Sequence, residues 1–222
     1  MNPTLGPVAV NAPQPHTPVA IGSKAPIVGL LAIQGDFAMH RRAVEELGAA
    51  CREVRTVADL GTVDGLIMPG GESTTMRKLL KWEGLWDEIP RFAHNHPIMG
   101  TCAGLILLGK TIIHPRGDES TFGLIDIDSD RNAYGSQYHS FRQPGFIQLN
   151  GSRHSLEMVF IRAPKIARVG PGVEILGRLG DEPTMVRQGN ILALTFHPEM
   201  GEDREVHRYF LTEMVCASAN TR

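Results

Sequence analysis

The chain has 222 residues, 42% hydrophobic and 21% charged, proportions of an ordinary globular protein rather than a disordered, collagen-like or coiled-coil chain. Its 22 basic and 24 acidic residues leave a formal charge of -2, which offers no overall field to attract nucleic acid or an anionic membrane. No apolar run approaches the roughly 20 residues a bilayer-crossing helix needs, and three widely spaced cysteines, Cys51, Cys102 and Cys216, make neither a disulfide framework nor a paired zinc motif and so suggest a reducing cytoplasm.

Residues 1–26 hold six prolines and a single charged side chain, Lys24, with no periodic apolar pattern. They predict a flexible extension ahead of one domain over 27–222. Neither a secretory signal nor a mitochondrial presequence fits this composition. From Ile27 onward short β-branched runs alternate with helical segments, the pattern of a parallel sheet with crossover helices, so the predicted class is α/β. Residues 27–33 read as a strand buried on both faces. A turn follows at Gln34-Gly35-Asp36. Phe37, His40, Val44 and Leu47 then recur at helical spacing, and Gly48 stands where a left-handed residue ends a helix. Further strands are predicted over 51–54, 66–68 and 97–99. Between Asp126 and Gly189 the runs are shorter and broken by Pro144-Gly145 and Gly170-Pro171-Gly172, which suggests antiparallel hairpins added to the main sheet. Residues 191–196 again read as a buried strand. Val206, Phe210 and Met214 make the inner face of a last helix.

In open α/β sheets ligands bind beyond the carboxyl ends of the strands, so the residues just after each strand carry the functional argument. After the strand over 97–99 comes Gly100-Thr101-Cys102-Ala103-Gly104 and then an apolar helix. A nucleophile flanked by glycines at a strand-to-helix turn is a nucleophile elbow, here with sulfur, and the helix start favours its thiolate. After the strand over 66–68 comes Pro69-Gly70-Gly71-Glu72-Ser73, with Ser73 as the expected N-cap of the next helix. Its glycines would let backbone amides turn toward a ligand and form an oxyanion hole together with the amide of Ala103; a simple tight turn is the plainer alternative. After the strand over 191–196 comes His197-Pro198-Glu199, which would put a base and its orienting carboxylate on one face of an extended segment. Gln34, after the first strand, could line the same cleft.

Other features carry less. His94-Asn95-His96 has ligand-like spacing but no third ligand placed with it, and reads as a surface loop. Met39, Met68, Met76 and Met99 read as core. Asp126, Asp128 and Asp130 alternate as on a solvated strand edge, not as in a calcium loop.

Four segments together, Leu31-Ala32-Ile33-Gln34-Gly35-Asp36-Phe37, Pro69-Gly70-Gly71-Glu72-Ser73-Thr74-Thr75, Gly100-Thr101-Cys102-Ala103-Gly104 and Thr195-Phe196-His197-Pro198-Glu199, resemble the class I glutamine amidotransferases. Within that class they resemble the glutaminase subunits of pyridoxal 5′-phosphate synthase. Asp130-Arg131-Asn132-Ala133-Tyr134-Gly135-Ser136-Gln137 and Phe160-Ile161-Arg162-Ala163-Pro164 look like that subfamily's own signature. The resemblance implies a three-layer, flavodoxin-like fold with a mainly parallel central sheet and an added antiparallel portion. It implies Cys102, His197 and Glu199 as a triad and Gly71 and Ala103 as the oxyanion hole. Glutamine would be held by Gly71, Glu72, Ser73, Arg131, Ile161 and Arg162, with Gln34 facing the cleft or a partner. No cofactor and no metal is implied.

The sequence departs from the family pattern at Ser136, where arginine is expected, and at His139 or Arg142, where an acidic residue is expected. By the same resemblance the partner is a (β/α)8-barrel synthase subunit that takes ammonia to build pyridoxal 5′-phosphate and forms a dodecameric core with glutaminase chains outside it. The glutaminase of another biosynthetic amidotransferase, and a non-catalytic binding protein on the same frame, are the competing readings.

Overall fold

The computed structural model describes residues 25–115, 117, 119–131 and 140–220. Most of the expected N-terminal extension therefore lies outside the described residues, as do Asn132 to Gln137 of the signature segment and the departures Ser136 and His139. The first half of the chain alternates strand and helix: β1 (Ile27–Leu31), α1 (Phe37–Glu46), β2 (Ala50–Val54), α2 (Val57–Leu60), β3 (Gly65–Met68), α3 (Ser73–Trp82), α4 (Leu85–Ala93), β4 (Ile98–Thr101) and α5 (Ala103–Leu108). Strands dominate the second half: β5 (Gly109–Ile112), β6 (Ile125–Asp130), β7 (Ser140–Leu149), β8 (Ser152–Ile161), β9 (Lys165–Val169), β10 (Glu174–Leu179), β11 (Glu182–Gln188) and β12 (Ile191–Leu194), before a closing helix that begins with α6 (Glu205–Tyr209). None of the described helices is long and apolar enough to cross a membrane.

One sheet has nine strands in the order β2-β1-β3-β4-β12-β11-β10-β7-β8. From β2 to β12 neighbours run parallel, and beyond β12 they run antiparallel. The parallel half has the doubly wound 2-1-3-4-5 order, whose helices must cover both faces. Two apolar cores result. On one face Val44 of α1, Leu47 just after it, and Val206 and Phe210 of the last helix pack against Leu30, Met99 and Leu194. On the other, Met76, Leu85 and Leu105, from α3, α4 and α5, pack against Leu31, Met68 and Ala193. This is the three-layer α/β arrangement expected from the sequence, its sheet joined by four parallel and four antiparallel strand pairings.

Several boundaries differ for physical reasons. Strand β4 runs on to Thr101, so the nucleophile follows the ladder directly. Strand β12 stops at Leu194: Thr195 N–H still reaches the Thr184 carbonyl of β11 in the same register, but His197 N–H turns away to the Val159 carbonyl of β8. Pro144-Gly145 lies inside β7, not in a turn, and Gly145 sits against Met158 of β8. The β7–β8 reversal is the two-residue loop Asn150-Gly151, both at positive φ (50° and 79°), a residue pair favoured in such tight hairpins. Gly48 does end α1 in the left-handed region, at φ 79°. The closing helix widens to a π-helix over Phe210–Cys216; Phe210 and Met214 remain buried as the periodicity predicts. A second, three-stranded sheet joins β5, β6 and β9. There Arg168 clasps Asp126 and Asp128, which lie half-buried on one face of β6, the middle strand of this sheet and not the expected strand edge.

Candidate active site

Strands β4 and β12 are parallel neighbours in register, with Leu194 opposite Thr101. Their carboxyl ends are therefore level, and the segments that follow them, bearing Cys102 and His197, emerge side by side. Cys102 N–H donates to the Leu194 carbonyl across this junction, at 2.9 Å.

Cys102 has φ 50° and ψ -101°, a conformation that a side chain adopts only under strain. The turn closes because both neighbouring glycines leave no room for a Cβ. At Gly100 it would lie 2.5 Å from Leu108 Cδ1, and at Gly104 2.4 Å from the Met68 carbonyl oxygen. The elbow predicted from Gly-x-Cys-x-Gly is thus present, and α5 begins at the residue after the sulfur. The sulfur lies 3.9 Å from the carbonyl oxygen of Ile161, at the end of β8.

His197 donates from Nδ1 to Glu199 Oε1 at 2.7 Å, and both side chains are buried. The sequence argument put the two on one face of an extended strand. In the structure His197 has left the strand, and Glu199 belongs to a 3-10 turn over Pro198–Met200 that swings it back beneath the ring. Burial opposes the charged imidazole, but the Cys102 sulfur and the Glu199 carboxylate outweigh it and push His197 up to about 10. Burial likewise opposes the Glu199 carboxylate, yet the charge His40 carries when it is protonated and the hydrogen bond and charge of His197 hold it down at about 2. Among the described residues the Nε2 atom of His197 has no hydrogen-bond partner, which leaves it for the chemistry.

The loop after β3 forms the facing wall. A Cβ at Gly70 would fall 2.3 Å from His197 Cε1, so the bare backbone lies flat on the imidazole. Gly71 sits at φ 152°, and its α-carbon faces Gln34, whose Oε1 accepts from Glu72 N–H at 3.1 Å. Glu72, not Ser73, caps α3: its carboxylate accepts from Thr74 N–H at 3.0 Å and Thr75 N–H at 2.7 Å. Although partial burial opposes the charge, these threonine contacts hold Glu72 at about 2. A longer side chain at that position reaches back over the helix start and takes two free amides where serine would take one.

A cleft of about 680 Å³ brings Cys102 and His197 together with Gly71, Glu72, Ser73, Arg131, Ile161 and Arg162, which are the residues singled out for glutamine. Arg162 has φ 45°, so the chain leaving β8 is bent into the cleft under strain. Glu199 lies behind His197, outside the lining. The sequence reading missed Glu119, Ile106 and Met200, which also line the cleft. Glu119 forms an ion pair with Arg131, and nothing around it in the sequence marks it, since it belongs to no strand-end motif.

The remaining candidates sit apart. His96 stacks on Phe92, and among the described residues no group of three or more His, Cys, Asp or Glu could hold a metal. Burial pushes the thiols of Cys51 and Cys216 up, away from the reactive form. Met68, Met76 and Met99 are buried in the cores, whereas Met39 is half-buried on the outside of α1.

A profile of the SNO glutamine amidotransferase family matches residues 30–216. The pyridoxal 5′-phosphate synthase subunit PdxT of Pseudothermotoga lettingae is 48% identical over 185 residues, covering 83% of this chain and 93% of that protein. The subunit of the same name from Thermus thermophilus is 46% identical over 188 residues, covering 83% and 96%. A solved structure described as a glutamine amidotransferase superposes with a TM-score of 0.77 at 45% identity, over 83% of this chain and 96% of that one. A Thermoplasma acidophilum protein described as a putative GMP synthase subunit shares the fold, with a TM-score of 0.63 at 16% identity over 89% and 97%.

Proposed function

The chain belongs to the SNO glutamine amidotransferase family, and from that premise we propose that it hydrolyses the side-chain amide of L-glutamine and delivers the ammonia to the synthase subunit of pyridoxal 5′-phosphate synthase. The observation that carries this reading is the strained Cys102 beside the buried His197–Glu199 pair. The Cys102 thiolate attacks the amide carbonyl of glutamine, and the developing oxyanion is met by the amides of Gly71 and Ala103. His197, held in one tautomer by Glu199, gives its Nε2 proton to the leaving nitrogen, and ammonia departs. Water deprotonated by the same Nε2 then hydrolyses the γ-glutamyl thioester to glutamate, the thiolate leaves, and the Cys102 thiolate and protonated His197 are restored.

Arg131 would take the α-carboxylate of glutamine, with Glu119 beside it for the α-ammonium group. Ser73, Ile161 and Arg162 would complete the pocket, and from Glu72 the contribution would be backbone, because its carboxylate is engaged in the α3 cap. A peptide flip at Gly70-Gly71 would aim the Gly71 amide at the oxyanion; a glycine at φ 152° makes such a flip inexpensive. Coupling that flip to docking would keep the glutaminase weak until the synthase is present. Ammonia released into water becomes mostly ammonium and loses its nucleophilicity, so delivery to a docked acceptor gives the activity its use. The assembly would be a dodecameric synthase core with glutaminase chains outside it, in the cytoplasm, where the three free cysteines stay reduced.

A glutamine-mimicking electrophile tests the reading. It should label Cys102 in preference to Cys51 and Cys216, and Gly70→Ala, whose methyl would displace the His197 ring, should slow the labelling by about 10²-fold without loss of fold by circular dichroism. Equal labelling of all three cysteines would count against an amidotransferase.

A further inference from the structure

Behind Glu199 lie two histidines that the reaction above does not use. His40 on α1 and His207 on α6 are 0% and 1% exposed. His207 Nε2 is 2.9 Å from His40 Nδ1. His40 Nε2 is 3.4 Å from Glu199 Oε2 and also 3.4 Å from the hydroxyl of Thr101, the residue before the nucleophile. Among the described residues no hydrogen bond is formed to Glu199 Oε2, and the 3.4 Å approach of His40 Nε2 is an ion-pair distance rather than a formed hydrogen bond.

We propose that His40 and His207 extend the triad as positioning residues, with His207 setting the tautomer of His40 and His40 holding the second oxygen of Glu199. The tautomers follow from the contacts. Were His40 protonated on Nδ1, its Nε2 lone pair would face a carboxylate oxygen inside the protein, a repulsive pairing. Nε2 therefore carries the proton and points it at Glu199 Oε2 and the Thr101 hydroxyl, and Nδ1 accepts from His207 Nε2–H. His207 Nδ1 is then a bare acceptor. Among the described residues it has no hydrogen-bond partner, and a buried acceptor is left unpaired more readily than a buried N–H.

Both rings must be neutral for this chain of bonds to work. A positive His40 would draw the charge of Glu199 away from His197. Every charged group facing the pair bears on this. For His40, burial pushes the ring down; Glu199 opposes, His197 adds to the lowering, and Asp36 at the start of α1 opposes. For His207, burial and His40 lower it, Glu199 opposes and Arg204 lowers it further. Burial dominates in both, so the pair donates hydrogen bonds without competing for the carboxylate's charge.

The test is made on the full chain. Alkylation of Cys102 by iodoacetamide is followed from pH 5 to 10 by mass spectrometry of the Cys102 peptide, so the readout does not depend on the glutaminase reading, on which only the kinetic arm rests. His40→Leu should slow alkylation at pH 7 by about tenfold and displace the profile to higher pH. His40→Gln, whose amide can donate to Glu199, should restore most of the rate. His207→Leu, which frees His40 to adopt the wrong tautomer, should shift the profile in the same direction by less. A His40→Leu profile that overlays wild type overturns the proposal whatever happens to its melting temperature. Should His40→Leu fail to fold, a wild-type profile in His207→Leu overturns it. In the kinetic arm kcat for glutamate release should fall in His40→Leu while KM stays within about twofold. Should wild type release no glutamate while alkylation still responds to His40, the glutaminase reading fails and the relay stands.

Discussion

Replacing Cys102 by alanine is expected to lower glutamate release by on the order of 10⁴-fold or more, since groups acting as one catalytic unit fail together when the nucleophile is lost. The substitution leaves the fold intact, because the side chain is small and the elbow is held by Gly100 and Gly104. A second replacement at the same position separates chemistry from strain. Cys102 stands at φ 50°, where a side chain is held against its preference at a cost of about 1–3 kcal/mol. Cys102→Gly should be equally inactive yet more stable to urea than Cys102→Ala, by about 1 kcal/mol after the extra freedom of glycine in the unfolded chain is subtracted. A glycine variant less stable than the alanine variant would show that the elbow stores no strain.

Glu199→Gln keeps the shape of the side chain and removes its charge. Loss of an orienting carboxylate from such a triad lowers kcat by about 10⁴-fold where the wrong imidazole tautomer results, and glutamate release should fall toward that limit with little change in KM. The same substitution has a pH signature. Glu199 is lowered from 4.5 to about 2, so its contribution to stability is full above 4.5 and is lost as pH falls through 2. His197 is raised from 6.5 to about 10, so its contribution is full below 6.5 and is lost as pH rises through 10. Wild-type stability from this pair should therefore plateau between pH 4.5 and 6.5 and decline on both sides. Urea denaturation of Glu199→Gln across pH 2 to 10 should show both declines flattened. Retention of either slope would mean that another group carries it.

The sequence was most informative where glycine permits a close approach that any side chain would block. Gly100 and Gly104 announced the elbow, and the apolar runs of β1, β3 and β12 announced strands covered on both faces. Where local spacing misled, tertiary contacts had taken over. Pro144-Gly145 looks like a turn but lies in a hairpin strand, because β8 pairs along its full length and the Asn150-Gly151 loop makes the reversal. His197 and Glu199 are brought together by a 3-10 turn and not by strand alternation, since the His197 amide turns from the β11 ladder to the Val159 carbonyl of β8. Glu119 and the His40–His207 pair were invisible to local reasoning for a related reason. Glu119 meets Arg131 through the cleft and not through a local motif, and His207 is 167 residues from His40, so that only the folded sheet brings α1, α6 and the segment after β12 together. The ligand contacts were legible by family resemblance alone, and the cleft gathers those residues around Cys102.

The measurement that bears most directly on the proposed function is glutamate release from L-glutamine by the purified full chain, alone and with the synthase subunit from the same source, with Cys102→Ala as control. The account predicts weak release from the chain alone, a rise of about tenfold or more on adding the synthase, and none above background from the variant. Release that ignores the synthase, or that survives Cys102→Ala, would contradict it.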